Sequence, residues 1–425
     1  MTSVRRDRGR HSPSAGDFTR FQFLQLALGG ALATGGGALA ATAPAKTTVT
    51  IDPAGVDPSA KAAYVNVRLS GRVVNTVVVT VMTRNGSDLF PDRRALSGVH
   101  YRPVNQLLVF RPGDAAVKTV TIPLIGGAKA DQWFELIVPT EVQGAAGGGA
   151  SARIRFTPGA RNTPAASTSR PMKTPTRGAQ TFELDLRSAR ANDSGLIGRR
   201  PCLRSRFSHG RTQPNNGELG FYTDPQLHAG TRAFDFKDGV LTLRTEKLRN
   251  PIRVGGVTYE YGSSVLTPQT MFSQTYGYFE WDARLSSAPG SWSGLWLLPS
   301  NGAWPPEIDV MEAPRNGQYR NADTNVAAHW MDGPRHDSVS ARLSIDKILG
   351  RPVDLVKDFH RHAVEWRKDF TTWFLDDVEI FQAPTHFHSE AYALMDVTVG
   401  GWGGRPELSG GAADEMQIRS MRVWR

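Results

Sequence analysis

Cysteine is nearly absent: Cys202 is the only one in 425 residues. No intramolecular disulfide can form, so stability has to come from a packed core. A lone cysteine with no partner pattern reads as a small buried apolar residue. Lysine is scarce too, supplying ten of the 50 basic residues, so the net charge of +10 is carried by arginine. Such a balance suits nucleic acid, an anionic membrane surface or an acidic polysaccharide. Helix-turn-helix, zinc-finger and RNP patterns are all missing, which argues against a nucleic-acid partner. There is no internal repeat, heptad run or long amphipathic helix. Beyond residue 45, no stretch reaches the roughly 18 apolar residues of a membrane-spanning helix.

What is present divides the chain into four parts. Residues 1–45 have the order of an export signal. Arg5, Arg6, Arg8, Arg10 and Arg20 come first, then a mostly apolar run over 21–40, then small residues at Ala38-Leu39-Ala40 and Ala43-Pro44-Ala45. The segment Thr19-Arg20-Phe21-Gln22-Phe23-Leu24 resembles a twin-arginine signal with Phe21 in place of the second arginine. The implied location is periplasmic or extracellular, with no membrane contact after cleavage. Residues 46–157 read as all-β, with β-branched runs over 73–82 and 117–125 and turn signals at Asn85-Gly86 and Pro112-Gly113-Asp114. Residues 158–178 hold four prolines among Thr, Ser, Ala and Arg, the composition of a semi-extended linker. Residues 179–425 show short strand-like runs split by Gly, Pro, Asn and Asp, as in a β-sandwich. A monomer is expected.

The chemistry concentrates in Glu307-Ile308-Asp309-Val310-Met311-Glu312, preceded by Trp304-Pro305-Pro306 and followed by Ala313-Pro314. A short apolar segment bounded by prolines is a strand. Alternation puts Glu307 and Asp309 on one face, but Glu312 has the wrong parity. A β-bulge between Asp309 and Glu312 adds one residue and returns Glu312 to that face. Carboxylates crowded there repel, so one tends to keep a proton while another stays ionised. Retaining glycosidases need such a pair, a nucleophile and a proton donor roughly 5 Å apart.

On these residues the chain resembles glycoside hydrolase family 16, in the branch with the bulged E-x-D-x-x-E signature. Further segments carry the likeness in order: Asn215-Asn216-Gly217-Glu218-Leu219, Tyr276-Gly277-Tyr278-Phe279-Glu280, Gly294-Leu295-Trp296-Leu297-Leu298-Pro299, Phe359-His360 through Trp366, Trp373-Phe374-Leu375-Asp376, and Val399-Gly400-Gly401-Trp402. The resemblance implies an all-β fold whose C-terminal unit is a jelly-roll sandwich with a concave substrate cleft. It makes Glu307 the nucleophile, Glu312 the acid/base, and Asp309 the group between them. Trp304, Trp292 and Trp402 are candidates to stack on sugar, while Trp296 and Trp366 are expected in the sandwich. Asn216, Glu280 and His329 are implied substrate contacts. The family's arginine two positions after the glutamate is Asp282 here, so Arg284, on the same face by parity, is a candidate substitute. Its structural-calcium aspartate aligns with Arg419, an unsuitable ligand, and the usual asparagine before the Val399-Gly400-Gly401 strand is Asp396. No metal or cofactor is expected.

The first β segment resembles a Calx-β domain through Gly98-Val99-His100-Tyr101, Phe110-Arg111-Pro112-Gly113, residues 118–123 and Phe134-Glu135-Leu136. That implies a smaller immunoglobulin-like sandwich acting as a spacer or adhesion module. Gly126-Gly127-Ala128-Lys129 stands where the acidic calcium cluster would be. The expected activity is endo-hydrolysis of a β-linked polysaccharide, β-1,3-glucan first. Alternatives are an agar-type or acidic exopolysaccharide, a transglycosylase, or a non-catalytic glycan-binding protein.

Overall fold

The computed structural model describes residues 47–87, 90–139, 142–143, 149–409 and 412–425. The expected export signal lies outside them. No helix among the described residues is long and apolar enough to cross a membrane.

In the N-terminal unit, Ala62–Leu69 and Ser151–Phe156 bury every second residue, as strands with one face on a core do. Val49–Ile51, Ala62–Leu69 and Val117–Pro123 form a three-stranded sheet. A six-stranded sheet contains Ala54–Val56, Val77–Asn85, Asn105–Phe110, Trp133–Ile137, Val142–Gln143 and Ser151–Phe156. Val65, Val67, Val120 and Ile122 from the first meet Val79, Val81, Leu108, Phe134 and Ile154 from the second, which makes the small immunoglobulin-like sandwich. Tyr101 stacks on Phe134 at 4.1 Å, donates to Asn85 Oδ1 at 2.8 Å, and is pushed up to about 12 in pKa by burial.

Twelve strands build the C-terminal unit: β1 (Val240–Val254), β2 (Val257–Leu266), β3 (Gly277–Arg284), β4 (Ser291–Pro299), β5 (Glu307–Pro314), β6 (Asp323–Asp332), β7 (Arg335–Ser344), β8 (His360–Trp366), β9 (Phe370–Leu375), β10 (Val378–Pro384), β11 (Ala391–Val399) and β12 (Ala413–Trp424). Their order is β7-β6-β5-β4-β11-β2-β1-β12-β3-β8-β9-β10, with three shorter strands beside this path. The sheet curls at β2 and β1, so its halves face each other as a jelly-roll sandwich. Leu295, Leu297, Ile308, Met311, Val326 and Met395 meet Phe279, Trp281, Val364, Trp373, Phe381 and Ile418 between them. Trp281, Trp366 and Trp373 are fully buried. Each such ring removes roughly 150–250 Å² from water, about 4–6 kcal/mol gross before chain entropy. Cys202 is buried and unbridged, and burial raises its thiol pKa.

Residues 160–178 carry no helix or strand, yet they are held at both ends. Asn162 Nδ2 donates to the Tyr64 carbonyl at 2.9 Å, and the Ala115 amide donates to the Thr168 carbonyl at 2.9 Å. Arg170 grips Glu379 on β10 through both terminal nitrogens, Nη1 to Oε2 at 2.8 Å. Glu379 is fully buried and also accepts the Lys173 amide at 2.7 Å. Removing one partner of a buried ion pair strands the other, at about 3–5 kcal/mol. Arg111 Nε also lies 3.9 Å from Glu379, so Arg170→Met is expected to lower stability by less than that, about 1–3 kcal/mol, and Arg170→Met with Glu379→Met to recover little, because Arg111 then loses its partner, measured by urea unfolding. An unchanged midpoint in the single variant would show that this clamp carries no stability.

Candidate active site

Strand β5 lies between β4 and β6, and all eight of its residues are buried. The expected bulge is present. Leu295 opposes Met311 while Trp296 opposes Asp309, leaving Val310 as the extra residue, and the β6 register also shifts between Asp309 and Glu312. Ile308, Val310 and Met311 therefore enter the core, and Glu307, Asp309 and Glu312 share the opposite, concave face.

Cross-strand pairing sets the floor of that face. One row runs Asp396 on β11, Gly294 on β4, Glu312 on β5 and Asn325 on β6. Gly294 has no side chain, so the space between Asp396 and Glu312 is left open. The next rows pair Trp296 with Asp309, and Glu307 with His329.

The carboxylates are shielded; Glu307 and Glu312 each accept a donor, whereas neither oxygen of buried Asp309 has a hydrogen-bond partner among the described residues. Glu307 and Asp309 are fully buried and Glu312 is 4% exposed. Trp304 Nε1 donates to Glu307 Oε2 at 3.0 Å, and Asn325 Nδ2 donates to Glu312 Oε2 at 3.0 Å. His329 Nε2 stands 3.3 Å from Asp309 Oδ2, and His329 Nδ1 lies 3.1 Å from His336 Nε2. A second acidic group lies along the face. Tyr222 OH donates to Glu218 Oε2 at 2.6 Å and lies 3.5 Å from Asp396 Oδ2. Trp296 Nε1 donates to Asp396 Oδ1 at 2.7 Å. Glu307, Asp309 and His329 also place ligand atoms within 4.8 Å of one another, compact enough for a divalent cation.

Several expected contacts gather here. Trp304 and His329 touch the acidic triplet. Asn216 donates to Glu218 Oε1 at 3.0 Å, at the end of the face where Glu218 bridges Gly400. Trp402 stands partly exposed in the turn Gly401–Gly403, edge-on to Tyr319 at 5.4 Å. Gly401 has φ of 53°, and a Cβ there would meet the Asn216 carbonyl at 2.5 Å, so this close approach requires glycine.

Others do not. Glu280 and Arg284 lie on β3 in the opposite half of the sheet. Phe279, Trp281 and Ala283 take the core face there, so alternation turns Glu280 and Arg284 to the outside, away from the cleft. Glu280 binds Arg177 at 2.7 Å, and Arg284 donates to Gln417 at 2.8 Å. Trp292 is on the concave face but only 1% exposed, beneath Trp402 with rings perpendicular at 5.8 Å; it backs Trp402 and presents no face of its own. Trp296 packs on the concave side with Phe207, Tyr222 and Tyr392, not within the sandwich. Arg419 lies with its guanidinium 3.7 Å over the Phe359 ring.

Sequence reasoning missed Glu218, Tyr222, Asn325 and His336 as site residues. Asn325 was within reach, because it shares parity with His329 on one strand. His336 has no local motif.

The sandwich and its acid-lined face define a class. Residues 222–419, just under half of the chain, match the family model described as Glycosyl hydrolases family 16. It is similar to the endo-1,3-1,4-beta-glycanases EglC and ExsH of Rhizobium meliloti (strain 1021). Identity is 33% over 221 residues for the first and 32% over 219 for the second, in both cases 51% of this chain and 45% of the relative. A beta-1,3-glucan-binding protein of Penaeus monodon is 27% identical over 192 residues, 39% of this chain and 52% of that protein. The chain thus spans about half the length of these relatives. Among solved structures, the laminarinase catalytic domain from Thermotoga maritima MSB8 covers 58% of this chain and 98% of its own, at 24% identity and TM-score 0.46. An endo-1,3-beta-glucanase from Thermotoga petrophila RKU-1 gives 59%, 99%, 23% and 0.47.

The bulge is open to a direct test. Deleting Val310 leaves Glu307-Ile308-Asp309-Met311-Glu312, in which plain alternation keeps the three acids on the cleft face and Ile308 and Met311 on the core face. Inserting an alanine after Val310 instead reverses the parity of Glu312 and turns it toward the apolar core, where an unpaired carboxylate costs several kcal/mol. The deletion is expected to keep cooperative thermal unfolding and the insertion to lose it. A deletion variant that no longer unfolds cooperatively would mean that β5 needs its extra residue for more than parity.

Proposed function

We propose that this protein is an exported, endo-acting, retaining glycoside hydrolase of neutral β-glucans, with β-1,3-glucan the first substrate. The observation that supports this most is the pair Glu307 and Glu312, on one buried face but in different surroundings. Glu307 is paired with His329 and accepts an indole N–H; Glu312 is paired with Gly294 and Asn325 and accepts an amide N–H. Each accepts one N–H donor, so the division of roles follows the family resemblance, with Glu307 attacking the anomeric carbon. Glu312 protonates the leaving oxygen, and its carboxylate then draws a proton from water, which hydrolyses the glycosyl-enzyme. The names of the Rhizobium relatives support endo action on 1,3- and 1,3-1,4-linked glucan.

Charge placement bears on neutral against acidic substrates. The concave face carries Glu218, Glu307, Asp309, Glu312 and Asp396, with Arg342 on β7 at the outer end of the Glu312–Asn325 row, whereas Arg284, Arg361, Arg419 and Arg422 belong to strands of the opposite half. An anionic polymer entering that cleft meets like charge at close range, where Coulomb repulsion is strongest. The net charge of +10 therefore does not favour an acidic substrate. The glucan-binding relative keeps a non-catalytic reading in view, but all three acids of the motif are present here. The N-terminal unit is read as a Calx-β-like spacer module that works as part of the same monomer.

Reducing-end release tests the assignment on laminarin, mixed-linkage β-glucan, agar and an anionic exopolysaccharide. Activity is expected on the first two and absent on the last. Glu307→Gln is expected to lose on the order of 10³-fold or more in kcat while keeping its fold. Substantial turnover by that variant would sink the nucleophile assignment, and release of the inverted anomer would sink the retaining mechanism. EDTA treatment is expected to leave turnover unchanged. Loss of activity restored by a divalent cation would instead make Glu307, Asp309 and His329 a metal centre.

A further inference from the structure

Glu307 and Asp309 stand two apart on β5, and His329 stands opposite Glu307 on β6. One short stretch of two paired strands therefore turns two carboxylates and an imidazole to the same face. One ligand atom from each lies within 4.8 Å of the other two. All three side chains are buried.

What the cluster lacks is a donor at its centre. His329 Nε2 stands 3.3 Å from Asp309 Oδ2, yet neither Asp309 oxygen has a hydrogen-bond partner among the described residues. A buried carboxylate without a partner marks a catalytic group or the place of an ion. The catalytic reading accounts for the charge on Asp309 but not for the ring nitrogen beside it. Around a four-coordinate ion with bonds of about 2.0–2.1 Å, neighbouring ligand atoms stand roughly 3.3 Å apart. The separation of His329 and Asp309 matches one edge of that tetrahedron. Glu307 reaches a third corner by a small side-chain shift, and a fourth is left for water. His329 is braced from behind, as metal-bound imidazoles are: its Nδ1 lies 3.1 Å from His336 Nε2, and the two rings stack at 5.3 Å. The donor set selects the ion. Two carboxylates and an imidazole suit Zn²⁺, Co²⁺ or Cu²⁺, whereas Ca²⁺ and Mg²⁺ prefer shells made of oxygen alone.

We propose that Glu307, Asp309 and His329 form an inhibitory site for one divalent transition-metal ion of the Zn²⁺ type. The ion takes the carboxylate that the attack on sugar needs, so metal and glucan exclude each other. That consequence rests on the glycosidase reading above; binding of the ion does not.

The test uses the full chain without an affinity tag and has two readouts. Co²⁺ titration followed by visible absorption needs no turnover. The wild type is expected to bind one ion with the intense bands of a four-coordinate site. His329→Gln and Asp309→Asn, each shown by thermal melting to be folded, are expected to lose those bands. His336→Leu, which leaves all three ligands in place, is expected to bind about 10–100-fold more weakly. In steady-state kinetics on laminarin, Zn²⁺ is expected to raise the apparent KM with kcat unchanged, EDTA to reverse the effect, and Mg²⁺ at the same concentration to do nothing. Absence of the cobalt bands in the wild type overturns the proposal, and so do bands that survive in both ligand variants. Activation by Zn²⁺, or inhibition that glucan does not relieve, overturns the exclusion of substrate by metal. Cobalt binding with the expected variant pattern but no turnover on any glucan supports the metal site and sinks the glycosidase reading alone.

Discussion

One extra residue in one strand governs this site. Without the bulge at Val310, strict alternation would send either Glu312 or the pair Glu307 and Asp309 into the apolar core. With it, the strand feeds Ile308, Val310 and Met311 to the core and three acids to the cleft. The bulge is tolerable because β5 is central: β4 and β6 pin it on both sides, and regular pairing resumes beyond the interruption.

The cost of this arrangement is electrostatic. Five carboxylates on one largely buried face repel one another, and no arginine is among their hydrogen-bond partners in the contacts described above. Neutral donors offset the burden instead: the indoles of Trp304 and Trp296, the amide of Asn325 and the hydroxyl of Tyr222, while Asp309 stays without a hydrogen-bond partner among the described residues. Neutral donors stabilise a carboxylate without cancelling its charge, which an arginine at the same place would do. The fold can bear it because the opposite side of the same strands is packed with aromatic and aliphatic side chains.

The sequence made the parity problem visible, and so the bulge; alternation and turn residues gave the two sandwiches; and the family likeness placed the triplet, Trp304 and His329. Its failures share one cause. Parity identifies residues on the same face of a strand but not which side of which sheet that face meets. Glu280 and Arg284 follow the expected parity, yet β3 belongs to the opposite half and its outer side meets the solvent and Arg177. Trp292 has the right face and is hidden by Trp402, which arrives from a segment over a hundred residues away in the chain. Glu218 and Asp396 meet at Tyr222 from a turn and a remote strand, and His336 reaches His329 across the ladder; only the folded sheet makes either pair neighbours.

The same geometry accounts for the N-terminal unit without giving it a part in the chemistry. A sheet that curls without closing keeps two edges, here β7 and β10, and an open edge is a site for unwanted strand pairing. The N-terminal unit lies at that seam. The Thr76 amide donates to the Gln382 carbonyl at 2.7 Å, and the Gln382 amide donates back to the Thr76 hydroxyl at 2.9 Å, so the free side of β10 is taken. Val78 enters the core of the larger unit, with Leu107 and Val109 packed against it. Val142–Gln143 approaches β7 from the same unit, and the strap through Arg170 closes on Glu379 between them. These contacts lie at the seam and the cleft lies on the concave face of β11, β4, β5 and β6. The small sandwich can therefore cap the edges and hold the halves of the large one together while leaving the acid-lined face free for a polymer.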